Sequence, residues 1–353
     1  GYNMAYASIT KPSLHFNTKL YTGNSSTLNV TGVGFQPDFT WIKDRTSSGD
    51  DHALFDAVRG VTKRIRSNQN DAENTDSNSL TAFDSDGFTV GTTGAVNGNG
   101  DTFVSWNWKA NGAGSANTSG TINTTSTSAN TTAGFSIIKY TGTGSNGTVG
   151  HGLGVAPEMI LGPKVLTTNN DFMAGHDGLD ATNPWHKYFY LNATSAAADA
   201  DTMWNDTAPT STVISLGTHS YVNYSGRDYI MYAFASVKGF SKCGSYLGNG
   251  TSTFVYTGFK PRFLMIKNRS ESNGWLMLDS SRTTSNPMGA YIYANASSAE
   301  GTVTYVDFLS NGFALKSTSS VAVNKSGNTF VYYAVAEEPL VANVGESIPA
   351  TAR

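Results

Sequence analysis

Apolar residues in this chain recur in short runs of the kind that form β-strands. DFTWIK (residues 38–43) carries apolar residues at positions 39, 41 and 42. Three other segments are rich in aromatic and β-branched residues: TFVSWNW (102–108), DYIMYAF (228–234) and TFVYYAV (329–335). Between the runs, stretches such as SDGF and NGNGD supply residues that tolerate positive φ in hairpin turns. No window keeps a 3.6-residue period, and only the Ala-rich segment 192–204 is compatible with a short helix. The pattern predicts an all-β chain.

One strand-forming sequence pattern occurs more than once along the chain. GFQPDFTWIKDR (Gly34–Arg45) returns as GFKPRFLMIKNR (Gly258–Arg269), with seven of twelve positions identical, and a weaker copy lies at Gly152–Val165. The flanking blocks recur in the same order, which indicates internal repeats. The prolines that open the three copies are Pro37, Pro157 and Pro261, with spacings of 120 and 104 residues. Proline suits a strand entrance, because it has no backbone N–H to give to a sheet.

We therefore predict three tandem β-sandwich, jelly-roll-like repeats of about 100 residues each. The predicted divisions are an N-terminal arm (1–13), repeats at 14–110, 134–240 and 243–340, a C-terminal tail (341–353), and a Gly-, Ser-, Thr- and Asn-rich linker or exposed strand at 111–133.

Composition narrows the class of protein. Charged residues make up 14% of the chain and hydrophobic residues 39%, a weakly charged composition that suits extracellular or virion β-proteins. The net charge of −3 gives no electrostatic footprint for nucleic acid, and no apolar run approaches the roughly 20 residues of a membrane span. Cys243 is the only cysteine, which excludes an intrachain disulfide and a cysteine-based metal site. We expect no cofactor.

The best polar candidates are two Asp-x-x-Arg pairs, Asp56/Arg59 and Asp279/Arg282. Such a pair could bind a carboxylate or sugar hydroxyls, or it could be an ion pair that fixes a loop after a strand. Its recurrence in two repeats and its absence from the middle one favour the structural interpretation.

No pattern indicates catalysis or metal binding. The histidines lack zinc-ligand spacing, the acidic stretches lack a calcium-loop pattern, and His176 beside Asp177 is not accompanied by a nucleophile elbow. We predict that the protein is not an enzyme and holds no metal.

Exposed aromatic residues could stack on sugar rings. Four of them lie outside the predicted strands of the middle repeat: Trp185, Trp204, Tyr221 and Tyr224. Most such residues are core or interface residues, yet these four are the best candidates for a glycan contact, because the middle repeat departs most from the other two.

Several blocks carry a family resemblance: YTGNSSTLNVTGVGFQPDFTWIKDR (21–45), FDSDGFTVG (83–91), FSIIKYTGTGSNGTVGHGLGVAP (135–157) and 233–269. Together they resemble a family of repetitive β-domain proteins from tailed bacteriophages, especially phages of marine bacteria. The resemblance implies a virion structural protein, associated with the tail or a fibre, without catalytic residues to carry over.

The expected function is therefore that of a non-enzymatic tail fibre or host-recognition appendage on the virion. We expect it to assemble as a homo-oligomer, with a trimer favoured, which would bury aromatic strand faces between copies. Its partners would be other virion proteins and a host-surface glycan or protein. A capsid decoration or head-fibre protein is the alternative, and a glycan depolymerase is a third hypothesis.

Overall fold

A computed structural model describes residues 7–316 and 319–339 of the chain. The described residues form 27 β-strands and are nearly all β, with 43% strand and 5% helix. The predicted all-β sandwich fold is confirmed. Residues 1–6 of the predicted arm, residue 340 and the predicted tail 341–353 lie outside the described residues.

We call strands β1–β9 the first unit. Their bounds are Phe16–Thr22, Leu28–Thr31, Phe39–Asp44, Ala53–Asp56, Lys63–Arg64, Asn74–Thr75, Leu80–Asp84, Gly87–Val90 and Thr102–Trp108. A 3-10 turn, Pro12–Leu14, precedes β1, and helix α1, Gly94–Asn97, precedes β9. The large sheet has the order β1-β9-β3-β4 and the small sheet the order β2-β8-β7, with β5 and β6 as a separate pair.

The second unit contains β10–β18. Their bounds are Thr124–Asn130, Phe135–Thr141, Gly147–Gly150, Met159–Val165, Met173–His176, Lys187–Tyr190, Ala198–Asp199, Val213–Leu216 and Asp228–Phe234. Helices α2, Asp201–Trp204, and α3, Ser220–Asn223, and a 3-10 turn, Pro184–His186, lie between strands. The large sheet has the order β10-β11-β18-β13-β14-β15-β16, and β12 pairs with β17. Part of the predicted linker 111–133 is thus β10, the edge strand of this sheet.

The third unit contains β19–β27. Their bounds are Ser241–Leu247, Thr253–Tyr256, Phe259–Asn268, Leu276–Asp279, Ala290–Tyr293, Gly301–Thr302, Val306–Leu309, Gly312–Leu315 and Thr329–Pro339. The large sheet has the order β19-β27-β21-β22-β23-β24, and the small sheet has the order β20-β26-β25.

Four strands of each large sheet follow one order. In each unit the last strand lies between an early strand and the proline strand, and the proline strand pairs next with the strand that follows it. Pro37 and Pro157 are buried just before β3 and β13, whereas Pro261 lies within β21, where the pairing with β27 shifts register. All three positions suit a residue that cannot donate a ladder hydrogen bond.

A buried asparagine at the end of a short turn fixes the loops of each unit. Asn97, Asn223 and Asn324 are fully buried. Their side-chain oxygens accept hydrogen bonds from the amides of Asn24, Thr143 and Asn249, and their side-chain amides donate to Gly91, Gly217 and Lys316 carbonyls, among others. The residue before each asparagine accepts a hydrogen bond from a tyrosine hydroxyl of the unit's early strand: Tyr21, Tyr140 and Tyr246. These contacts explain why the VN block recurs.

Each large sheet is buried on both faces. One face packs on the small sheet of its own unit, as Ile42 and Phe55 do in the first unit. The other face packs in a core shared by all three units, to which Trp41, Trp106 and Leu54 belong. This double burial explains the continuous apolar runs, such as residues 229–234 of β18, all of which are buried.

The shared core brings aromatic residues from three units together. Phe39 stacks on Tyr232 with ring centroids 4.2 Å apart, Trp106 meets Phe263 edge-on at 6.0 Å, and Phe234 lies 4.8 Å from Tyr333. Such pairs contribute about 0.5–1.5 kcal/mol each beyond the area they bury. The aromatic strand faces that were expected to pack between copies of the chain are therefore buried within one chain.

Candidate functional site

The first Asp-x-x-Arg pair lies at the contact between the first and second units, the 1–2 interface. Asp56 and Arg59 are fully buried, with Nε of Arg59 2.5 Å from Oδ2 of Asp56. The hydroxyl of Tyr232, on β18 of the second unit, donates to the same Oδ2 at 2.8 Å. Arg59 also donates to Glu73 at 3.1 Å and to the Leu54 carbonyl at 3.0 Å. The pair is saturated by protein groups.

The second pair occupies the contact between the third and first units, the 3–1 interface. Nε of Arg282 lies 2.6 Å from Oδ2 of Asp279, and both side chains are buried. The indole N–H of Trp106, on β9 of the first unit, donates to Asp279 at 3.0 Å. Glu300 joins Arg282 to Arg45 of the first unit, from which it accepts two hydrogen bonds of 2.9 Å.

His176 stands at the same place in the strand pairing of the second unit. It faces Met159, as Asp56 faces Phe39 and Asp279 faces Phe263. Its Nδ1 lies 2.9 Å from the Gly178 amide, which donates to it, and 3.0 Å from the Asp177 carboxylate, and its Nε2 lies 3.1 Å from the Tyr332 carbonyl of the third unit. The ring is thus held by contacts within the second unit and across the 2–3 interface.

The three interfaces close a ring. The first unit contacts the second, the second contacts the third, and the third contacts the first through equivalent positions. A backbone hydrogen bond repeats in each interface: Glu73 N to Leu166 O, Ala197 N to Arg269 O, and Glu300 N to Arg45 O, each 3.0 Å. The Asp-x-x-Arg pairs thus serve the association of units, in line with the structural interpretation of the sequence.

The four aromatic residues proposed as glycan contacts have different surroundings. Trp185 and Trp204 are buried in the core of the second unit, edge-to-face at 5.5 Å, so neither is available to stack on a sugar. The sequence pattern could not show this, because both residues lie outside long strands yet fill the space above Gly175. Tyr221 is half-buried, and Tyr224 is 51% exposed with the Arg227 guanidinium 4.3 Å from its ring centroid.

A groove at the 2–3 interface is the best candidate binding site. It has a volume of about 390 Å³ and lies where the chain crosses from β18 to β19. We call it the 2–3 groove; its lining includes Glu158, Ser236, Lys238, Lys242, Cys243 and Tyr256. The Ser236 hydroxyl donates to the Glu158 carboxylate, and Nζ of Lys242 donates to the Tyr256 carbonyl at 2.9 Å. Burial raises the pKa of Glu158.

One exposed aromatic residue, Tyr256, lines this groove, and a second, Phe254, lies two positions before it on the same strand. Phe254 and Tyr256, on β20, are each 49% exposed, while Val255 between them is buried in the third unit's core. Sequence reasoning missed both residues. A signal was present: the matching strands of the first and second units read LNVT and GTVG, and only the third reads TFVY.

The cysteine that lines the groove is chemically inert. Burial raises the pKa of the Cys243 thiol well above its usual value, which keeps the sulfur protonated and unreactive.

Among residues 7–316 and 319–339, no group of three or more His, Cys, Asp or Glu side chains is placed to hold a metal ion. None of the helices in this part of the chain has the length and apolar character needed to cross a membrane.

The comparison with known families finds one family whose model covers most of the chain. The chain belongs to the family described as Domain of unknown function (DUF7483), whose model matches residues 11–339. A search of curated proteins finds no match to the chain.

Proposed function

We propose that this chain is a non-enzymatic structural protein of a phage virion, acting as a tail fibre or host-recognition appendage. The observation that carries this proposal is that the most reactive polar side chains hold the three units together. The groups best suited to chemistry, the Asp56/Arg59 and Asp279/Arg282 pairs and His176, are occupied by contacts between units. The groove that remains open is lined by an exposed ring and groups able to form hydrogen bonds.

The ring of three units supports a mechanical role. A shared aromatic core and three closed interfaces give one chain the burial that separate sandwiches would obtain by self-association. A virion surface protein has to stay folded outside the cell, and here it would do so without disulfides, since the chain has a single cysteine. A homo-oligomer, with a trimer favoured, remains a prediction that light scattering on the purified protein would test.

The capsid decoration or head-fibre role is the second candidate, and the same ring would suit it. Labelling intact particles with an antibody against the chain separates the two. We expect the label on the tail. Label on the head would replace the tail hypothesis by the decoration hypothesis, and absence of the chain from purified particles would overturn both.

Host attachment and enzymatic activity need their own measurements. Purified protein is expected to bind host cells and to leave the chain length of host surface polysaccharide unchanged. A fall in polysaccharide chain length would contradict the non-enzymatic assignment. Failure to bind cells, with the label on the head, would remove the host-recognition role.

A further inference from the structure

We propose that the 2–3 groove, together with the rings of Tyr256 and Phe254, binds an uncharged sugar of a glycan. This inference rests on the proposed attachment function and adds a site and a class of ligand to it. Neither Tyr221 nor Tyr224 is among the residues that line this groove.

The fold does not require aromatic residues at these two positions. The matching strands of the first and second units carry Asn29 and Thr31, or Thr148 and Gly150, on either side of a valine. That valine packs in the core in all three units, as Val30, Val149 and Val255. The aromatic pair is therefore an addition to the third unit alone, and both rings are half exposed. Two exposed aromatic rings at positions where the matching strands carry small or polar residues point to a binding surface.

The rings lie on one side of the strand. Residues 254 and 256 are two positions apart on β20, which places their side chains on the same face. The Phe254 ring lies against Gly312 of β26, where a larger residue would collide with it. The Lys242 ammonium is 5.5 Å from the Tyr256 ring centroid. A flat apolar ring edged by a hydrogen-bond donor matches a pyranose, which has an apolar face and a polar rim.

The charges around the groove favour an uncharged ligand. Glu158 and the nearby Asp177 balance Lys238 and Lys242, so that the four groups sum to zero. A charged ligand of either sign would meet two groups of like charge and two of opposite charge, so the groove gives it no net electrostatic attraction. A polyhydroxyl ligand can accept hydrogen bonds from the lysines and donate to the Glu158 carboxylate. The volume of about 390 Å³ lies within the range of small-molecule sites, about 300–1,000 Å³.

Saturation-transfer NMR on the full chain tests the site. The probes are neutral trisaccharides of glucose, galactose and mannose, together with a trisaccharide of glucuronic acid. We expect transfer to at least one neutral trisaccharide and weaker transfer to the acidic one. Tyr256→Ala is expected to weaken the binding of that neutral trisaccharide by about tenfold, and Tyr256→Phe, which keeps the ring, by much less. Thr31→Ala, at the same strand position of the first unit, is the matched control and should leave binding unchanged.

Four results would overturn the inference: no transfer to any neutral trisaccharide, transfer that Tyr256→Ala leaves intact, equal loss with Thr31→Ala, or preference for the acidic sugar. Circular dichroism and thermal unfolding of each variant separate loss of binding from loss of fold. The host-cell assay keeps the two proposals distinguishable. If Tyr256→Ala does not weaken cell binding, this site is refuted and the attachment function stands. If the protein binds the sugar but not cells, the site stands and the attachment function is refuted.

Discussion

The 1–2 and 3–1 interfaces differ from the 2–3 interface in the side chain at one position of the same strand pairing and in its partner three residues later. The first two place a buried aspartate there, paired with an arginine and bonded to an aromatic residue of the next unit. The third places His176 there and bonds a backbone carbonyl instead. The backbone contact that accompanies each is the same. Every interface thus has a polar bridge at this position, but only two have a buried Asp–Arg pair, and the interface without that pair is the one that carries the groove.

The largest expected effect comes from breaking one charge pair. In Arg59→Ala the buried carboxylate of Asp56 loses its counter-ion, so we expect the free energy of unfolding to fall by about 3–5 kcal/mol. Arg282→Ala should cost a similar amount at the 3–1 interface. Urea denaturation measures both. Arg227→Ala is the matched control, because Arg227 only covers the exposed ring of Tyr224, and it should change stability by less than about 0.5 kcal/mol.

The double variant Asp56→His/Arg59→Leu tests whether the charge pair can be exchanged for the residues of the second unit. It leaves no unpaired charge from the pair, so it should lose less stability than Arg59→Ala. A double variant as unstable as the single one would show that the two kinds of interface are not interchangeable. An Arg59→Ala loss below about 1 kcal/mol would remove the distinction between them.

A second variant tests what the three units have in common. Asn223→Ala leaves the Thr143 amide and the Gly217 carbonyl without their partner, so we expect a loss of about 2 kcal/mol. The corresponding changes at Asn97 and Asn324 should cost about the same when unfolding is followed by urea denaturation. Asn29→Ala, on an exposed strand position, is the control. Unequal losses at the three asparagines would mean that the loops of the units are held in different ways.

The 3–1 interface should also be the acid-sensitive one. His52 accepts from the Trp41 indole at Nδ1 and faces the Tyr293 carbonyl at Nε2, and burial, with a smaller effect of Lys43, lowers its pKa to about 3. Since the pKa is lower in the folded state than its ordinary 6.5, only the unfolded chain takes up a proton as the pH falls through this range. The contribution of neutral His52 to the free energy of unfolding is therefore complete above pH 6.5. It falls by about 1.4 kcal/mol per pH unit as the pH drops from 6.5 towards 3.

His52→Gln should flatten this acid slope, because an amide can keep both hydrogen bonds without titrating. The 2–3 interface supplies the comparison: Trp275 donates to the Tyr190 carbonyl there and has no proton to gain. Denaturation at pH 4 and pH 7 measures the change. An unaltered slope in His52→Gln would assign the acid sensitivity to other groups, such as His151, whose pKa burial also lowers.

Local sequence patterns were sufficient to predict the strands. The block with Pro37 and its copy with Pro261 predicted β3 and β21, because a short apolar segment after a proline is typical of a strand. The recurrence of Asp-x-x-Arg in two repeats also favoured a structural role before any geometry was known. These features depend on neighbours in sequence, which is the information that a single sequence carries.

The closure of the ring depends on distant neighbours. Tyr232 and Asp56 are 176 positions apart, and the sequence around either residue does not predict their contact. For the same reason the shared core was assigned to contacts between copies, although apolar faces can be buried equally well within one chain. Phe254 and Tyr256 could have been found from the sequence. Aligning the three repeats position by position shows aromatic residues there in the third repeat alone.

The smallest expected effect concerns these two aromatic residues. Phe254→Asn/Tyr256→Thr gives the third unit the residues of the first at both positions. Because the two rings are half exposed and Val255 still fills the core, we expect the free energy of unfolding to change by less than about 1 kcal/mol in urea denaturation. The reverse change, Asn29→Phe/Thr31→Tyr, should be equally mild. A loss above about 2 kcal/mol in the third unit alone would mean that these rings hold the fold together, and the contrast between the strands would then concern stability and not a ligand.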